Sequence, residues 1–158
     1  MPETYKTRYG IDFPPEFSEV FMDLTLAKKW KLYRDLGCDV SGFDPGDCLE
    51  RAVRALWPGS VKMTPWTVDI IHDFAREDKY AMIGCGSSGK SYAMAACGNA
   101  FWLVDPFYTA VIVGSATLKD LASRAWSPFL SLFTELKNNR AGVPIPGKIC
   151  NNVYAIVN

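Results

Sequence analysis

Residues 84–91 read Gly-Cys-Gly-Ser-Ser-Gly-Lys-Ser. Glycines at 84, 86 and 89 let a backbone curl until successive N–H groups point inward at one set of oxygens. A lysine and a hydroxyl follow at 90 and 91. The spacing fits G-x-x-x-x-G-K-[ST], a phosphate cradle. Gly84, Cys85, Gly86, Ser87, Ser88 and Gly89 would supply the backbone, and the helix beginning near Lys90 would add its positive end. Lys90 would reach the β and γ phosphates as a mobile point charge, the one catalytic role in the segment. The Ser91 hydroxyl suits Mg²⁺. The ligand this chemistry implies is ATP with Mg²⁺. Cys85 has a second reading, as a reactive thiol near a helix N-terminus, but no histidine stands near it in sequence to serve as its base.

Such a turn needs a strand before it and a helix after it. Lys79–Ile83 reads as a short strand, and Ser91 to about Phe101 as a helix rich in small residues. Tyr108–Gly114, YTAVIVG, is a continuous apolar run with β-branched residues, which suits a strand buried on both faces of a parallel sheet. VYAIV at 153–157 reads as another strand. Between them, Thr117 with Asp120 starts a long helix with an apolar stripe from Leu118 to Leu136, and Pro128 predicts a kink or break in it. Residues 138–149 read as loop. FWLVD at 101–105 has the look of an apolar strand ending in an acid, but it follows Lys90 too closely. It reads as the end of the helix after the turn, since that helix needs roughly ten or more residues. Strand, helix, strand, helix, strand predicts an α/β fold with a mainly parallel sheet.

The first 60 residues look different. Residues 1–14 read as an irregular arm. Residues 16–36 read as a helix, with Val20, Phe21, Leu24 and Ala27 at helical spacing and Gly37 placed for a C-terminal cap. Residues 37–46 are turn-rich. Asp47 and Glu50 resemble a capping box for a second helix through Trp57, ended by Pro58-Gly59. Thr67–Arg76 reads as a third helix with Val68, Ile71 and Phe74 or Ala75 on one face. The expected division is a helical lead-in over 1–60, packed on an incomplete core over 61–158. The chain stops just behind an apolar strand, which reads as a piece of something longer.

With 158 residues, 49% hydrophobic and 22% charged, the chain can bury a sizeable core. Seventeen basic and seventeen acidic residues cancel, so net charge gives no hint of nucleic acid. The five cysteines form no CxxC pair and His72 is the sole histidine, which argues against zinc; His72 itself reads as a surface or capping residue. The odd cysteine count and the polar start suggest a reducing cytosol. No apolar run approaches the roughly 18 residues of a membrane span. Lys119 and Arg124 could touch a DNA backbone, and Lys28, Lys29, Lys31 and Arg34 make helix 16–36 locally basic. The first pair reads more simply as a solvated face, and the four charges of the second do not make a nucleic-acid site.

Residues 63–133 resemble the N-terminal ATPase domain of phage terminase large subunits, the motors that package viral DNA. MTPWTVDIIHDF at 63–74, GCGSSGKS at 84–91 and TAVIVGSATLKDLASRAW at 109–126 carry the likeness. It implies a P-loop NTPase core of the RecA-like, additional-strand type behind a helical N-terminal segment. It places Pro65 and Trp66 against adenine, although both also suit simple packing at a helix start. It implies double-stranded DNA as the translocated substrate, a portal and a small terminase subunit as partners, a homo-oligomeric motor and the cytoplasm of an infected bacterium. The chain departs from the family in three ways. No arginine stands inside the turn at 85 or 86, no glutamine stands around 64–68, and no apolar strand ending in Asp-Glu follows residue 118. Without that acidic pair the likeness implies ATP binding here and hydrolysis only in a longer protein with a nuclease domain. A superfamily 2 helicase, a nucleoside or small-molecule kinase and a non-catalytic nucleotide-binding module are the alternatives.

Overall fold

The computed structural model describes residues 5–6, 12–13, 15–84, 88–139, 145–150 and 155–157. Two short strands, β1 (Tyr5–Lys6) and β2 (Asp12–Phe13), pair antiparallel within the segment expected to be an irregular arm. Helix α1 (Pro15–Asp35) follows, burying Phe17, Phe21, Leu24 and Ala27. It ends where Gly37 turns left-handed at φ 78°. The Cys38 N–H bonds Tyr33 O at 2.9 Å and the Gly37 N–H bonds Arg34 O at 3.0 Å, the paired closure that a C-terminal glycine permits.

Helix α2 (Pro45–Leu56) is capped by Asp44, whose Oδ1 accepts from Gly46 N at 2.7 Å and Asp47 N at 3.3 Å. The expected Asp47–Glu50 box is therefore displaced by three residues. Pro45 explains the shift: proline needs no N–H partner in the first helical turn and pre-sets its φ. The α2 face of Cys48, Leu49, Ala52, Val53 and Leu56 lies fully in the core, each leucine contributing about 1.5–3 kcal/mol by burial. Helix α3 (Pro65–Arg76) repeats the device with Thr64 as cap and Pro65 first. Its buried face is Thr67, Ile70, Ile71 and Ala75.

Helix α4 (Lys90–Val104) is the central element. Ala93, Ala95, Ala96, Cys97, Ala100, Leu103 and Val104 are buried around its whole circumference, the mark of a helix enclosed by others. As expected, it absorbs FWLV, and Asp105 closes it. Helix α3 meets it edge-on through Phe74 and Phe101, with ring centroids 5.1 Å apart. From α1, Lys28 Nζ donates to Phe101 O at 3.0 Å and to Thr109 Oγ1, placing a cation on the last turn of α4. Burial pushes the Lys28 ammonium below its ordinary pKa, against the upward pull of Asp105.

The long helix expected after Thr117 is three pieces: α5 (Leu118–Asp120), a π-helical stretch (Leu121–Trp126) and α6 (Ser127–Asn139). Thr117 caps the first, accepting from Asp120 N at 3.1 Å. Pro128 gives the break its cause. It offers no N–H, and its ring crowds the carbonyl four residues back. The chain widens just ahead of it, with the Ser127 N–H reaching five residues back to Ala122 O. Helix α6 packs on α4, and Trp57 Nε1 at the end of α2 donates to Leu132 O at 2.8 Å in the core. Finally β3 (Lys148–Cys150) and β4 (Ala155–Val157) form an antiparallel pair.

The expected α/β fold, a P-loop NTPase of the RecA-like, additional-strand type with a mainly parallel sheet, is overturned. Among the described residues the only ladders are two antiparallel pairs, and helix dominates. Residues 79–83 and 108–114 are not strands. They run without ladder partners, with Ile83 94% and Ile112 91% exposed. Central parallel strands need helices over both faces. Here the helices cover one another, α1 on α2, α2 on α3 and α4 on α6, and one apolar cluster runs from Phe17 to Ile145. The strand expected over 153–157 exists at 155–157, but its partner is β3, in a segment read as loop; 153 and 154 lie outside the described residues. No helix among the described residues is long and apolar enough to cross a membrane.

Candidate functional site

The glycine turn emerges at the N-terminus of the buried helix α4. Gly89 is the residue before the helix, at φ 83° and ψ −1°, a conformation glycine adopts without a Cβ penalty. Its carbonyl accepts the first helical bond from Ala93 N at 3.0 Å. The N–H groups of the first turn have no partners within the helix, so that end is a natural anion seat.

The Lys90 side chain folds back over this end. Nζ donates to Gly84 O and to Ser88 Oγ, both at 2.8 Å. Gly84 is held close on two sides: a methyl placed on it would lie 3.1 Å from Lys90 Nζ and 3.5 Å from Trp66 Cζ2. Gly84, the lysine and the first turn of α3 therefore meet at one point. Of the residues expected from sequence, Gly84, Ser88, Gly89, Lys90 and Trp66 converge here. Pro65 is exposed at the start of α3 beside Trp66, and Ser91 is exposed on the first turn of α4. Cys85, Gly86 and Ser87 lie outside the described residues.

Two clefts flank the turn. One, of about 400 Å³, lies on the Trp66 side and is lined by Asp69, Asp73, Arg76, Tyr80 and Ile83 among others. Burial, then the carboxylates of Asp73 and Asp69, pushes the Tyr80 phenol above its usual pKa. The other, of about 660 Å³, runs past Ser88, Gly89 and Tyr92 to Ser60, Lys62 and Glu135. Across its rim the Ser60 hydroxyl donates to Glu135 Oε1 at 2.6 Å. Sequence reasoning missed Ser60, Lys62, Tyr92 and Glu135. Tyr92 was within reach of it, two residues past Lys90. Nothing in sequence tied Glu135, on α6, to the turn.

Among the described residues, another group of chemistry-bearing side chains stands elsewhere. Asp44, Asp47 and His72 bring one donor atom each to within 4.8 Å of one another. His72 is half-buried, not on the open surface. Its Nε2 donates to Glu50 Oε2 at 2.9 Å, and its ring packs against Gly46, where a methyl would come within 2.7 Å. Asp44 is bound by Arg76 at 2.6 Å and by the α2 cap. These bonds give Asp44 and His72 structural tasks, and the exposed Asp47 carboxylate lies 3.7 Å from His72 Nε2. Comparison with family models, with characterised proteins and with solved structures finds no match for this chain.

Proposed function

We propose that the chain binds the phosphates of Mg²⁺–ATP at the turn 84–91, in the service of a DNA-packaging motor like the terminase large subunits that residues 63–133 resemble. One observation carries the reading: the Lys90 ammonium is seated between Gly84 O and Ser88 Oγ at the N-terminus of a fifteen-residue buried helix. Cation, hydroxyl and the positive end of the helix dipole converge where phosphate oxygens would be held. Ser91, on the same first turn, offers a hard oxygen of the kind Mg²⁺ takes. The support is local, the turn and its helix, and owes nothing to a parallel sheet. It is also support for binding. A cation and helix dipole position phosphate, whereas hydrolysis needs in addition a group that orients the attacking water. Double-stranded DNA, a portal, a small terminase subunit and further copies of the chain are the partners this reading names.

Calorimetric titration of a non-hydrolysable ATP analogue with Mg²⁺ tests it. Lys90→Ala should weaken binding at least about tenfold, or about 1.4 kcal/mol, with the helical circular dichroism unchanged. A folded wild-type chain that binds no analogue ends the reading.

A further inference from the structure

Another cavity lies along the C-terminal half of α4. It encloses about 450 Å³ between α4, residues 106–113, the π-helical stretch, α6 and β4. None of its described lining residues belongs to the turn 84–91, and none is charged. Its walls are largely aromatic and aliphatic. Trp102 comes from α4 and Phe129 from α6, while Leu121 and Trp126 are the first and last residues of the π-helical stretch. Widened turns of this kind are frequent at functional sites.

Two polar side chains interrupt this lining. Asn99 is only 4% exposed. Its Nδ2 donates to Phe129 O at 3.3 Å, and among the described residues its Oδ1 has no partner. No fully buried side-chain N or O of those residues is left unpaired. The Oδ1 atom is therefore open to the cavity that Asn99 lines. On the facing segment, Thr109 Oγ1 accepts from Lys28 Nζ, which leaves the hydroxyl hydrogen to donate.

We propose that this cavity binds an uncharged molecule of two or three fused aromatic rings, with a donor on Asn99 Oδ1 and an acceptor toward Thr109. The inference stands apart from the nucleotide reading. Size sets the ring count: roughly 150 Å³ suffices for benzene, and about 450 Å³ leaves room for more. The lining rings offer faces and edges to a flat partner. An ion would lose its water here with no charged lining group in return, so the ligand is neutral. A buried carbonyl without a partner is costly until a donor reaches it, so the ligand turns an N–H or O–H toward α4.

Calorimetric titration of the full chain with 2-quinolone, a neutral two-ring lactam carrying N–H and C=O, tests this. N-methyl-2-quinolone and quinoline-2-carboxylate are the comparison probes. The wild type should bind 2-quinolone. It should bind the N-methyl compound about threefold to tenfold more weakly, as one lost hydrogen bond implies, and the carboxylate not at all. Ala110 is an exposed residue of the lining. Ala110→Phe should fill the cavity and weaken 2-quinolone at least about tenfold, with the helical circular dichroism unchanged. Folded Asn99→Leu should bind the two quinolones alike. That variant also loses the bond to Phe129 O, so the quinolone pair on the wild type decides the Asn99 contact whether or not it folds. A folded wild type that binds no quinolone overturns the proposal. So does equal binding of 2-quinolone by the wild type and Ala110→Phe, or of both quinolones by the wild type. Carboxylate binding as tight as that of 2-quinolone overturns it too.

Discussion

Asp44 does two jobs with one carboxylate. It caps α2 through Gly46 N and Asp47 N, and it binds Arg76 at the end of α3. The Arg76 hydrogen bond, opposed by partial burial and helped by those two N–H groups, holds the carboxyl below its usual range. A carboxyl lowered in the folded state stabilises above its unfolded pKa, near 4, and that contribution disappears as pH falls through the folded value. Denaturant midpoints measured against pH should fall below about pH 4, and Asp44→Asn should flatten part of that fall. Asparagine still caps, so at neutral pH Asp44→Asn should cost less than about 1 kcal/mol. Asp44→Ala loses cap and ion pair together and should cost about 1–2 kcal/mol. The sequence showed an acid at a helix start here. It did not show which acid, because Pro45 moves the start and Arg76 is brought over only by the α2–α3 packing.

At the scale of the element, the crossing of α4 and α6 depends on Gly98. A methyl there would lie 2.7 Å from Phe129 Cζ. Gly98→Val adds still more bulk against that ring, and equilibrium unfolding should show a loss of about 1–3 kcal/mol from overpacking. Helices of this kind were legible. Periodicity and Gly37 located α1 within a residue or so, Thr117 was read as a cap, and Pro128 marked the break. The apolar runs at 79–83 and 108–114 misled for a physical reason. β-branched residues report a liking for a pleated, half-buried surface and carry no information on whether a partner strand exists. Ladder bonds and helical cover come from elsewhere in the chain, and here the helices spend their apolar faces on each other. At the site, the local part was legible, since Gly84, Ser88, Gly89 and Lys90 are neighbours in sequence. The cleft was not, because Ser60, in the connection between α2 and α3, and Glu135, within α6, are brought near it only by the tertiary fold.

For the whole molecule, the organising feature is a buried helix whose N-terminus is the candidate ligand seat. Trp57 ties the end of α2 to α6, Lys28 ties α1 to the far end of α4, and the apolar cluster joins residues from both expected segments. Loosening any layer around α4 therefore reaches the turn at its head. The same burial makes Cys97 a clock. It sits at 0% exposure in α4, and burial pushes its thiol well above the ordinary range, so the thiolate that alkylating reagents attack is scarce. Cys38 is exposed on the surface of the same chain. Under iodoacetamide, peptide mass spectrometry should show Cys38 modified promptly and Cys97 only as fast as the fold opens. A ligand that binds only the folded chain, at a hundred times its dissociation constant, adds about 2.7 kcal/mol to that opening. Saturating Mg²⁺–ATP should therefore slow Cys97 modification about a hundredfold and leave Cys38 unchanged. That lag would register binding without regard to where on the surface the nucleotide sits.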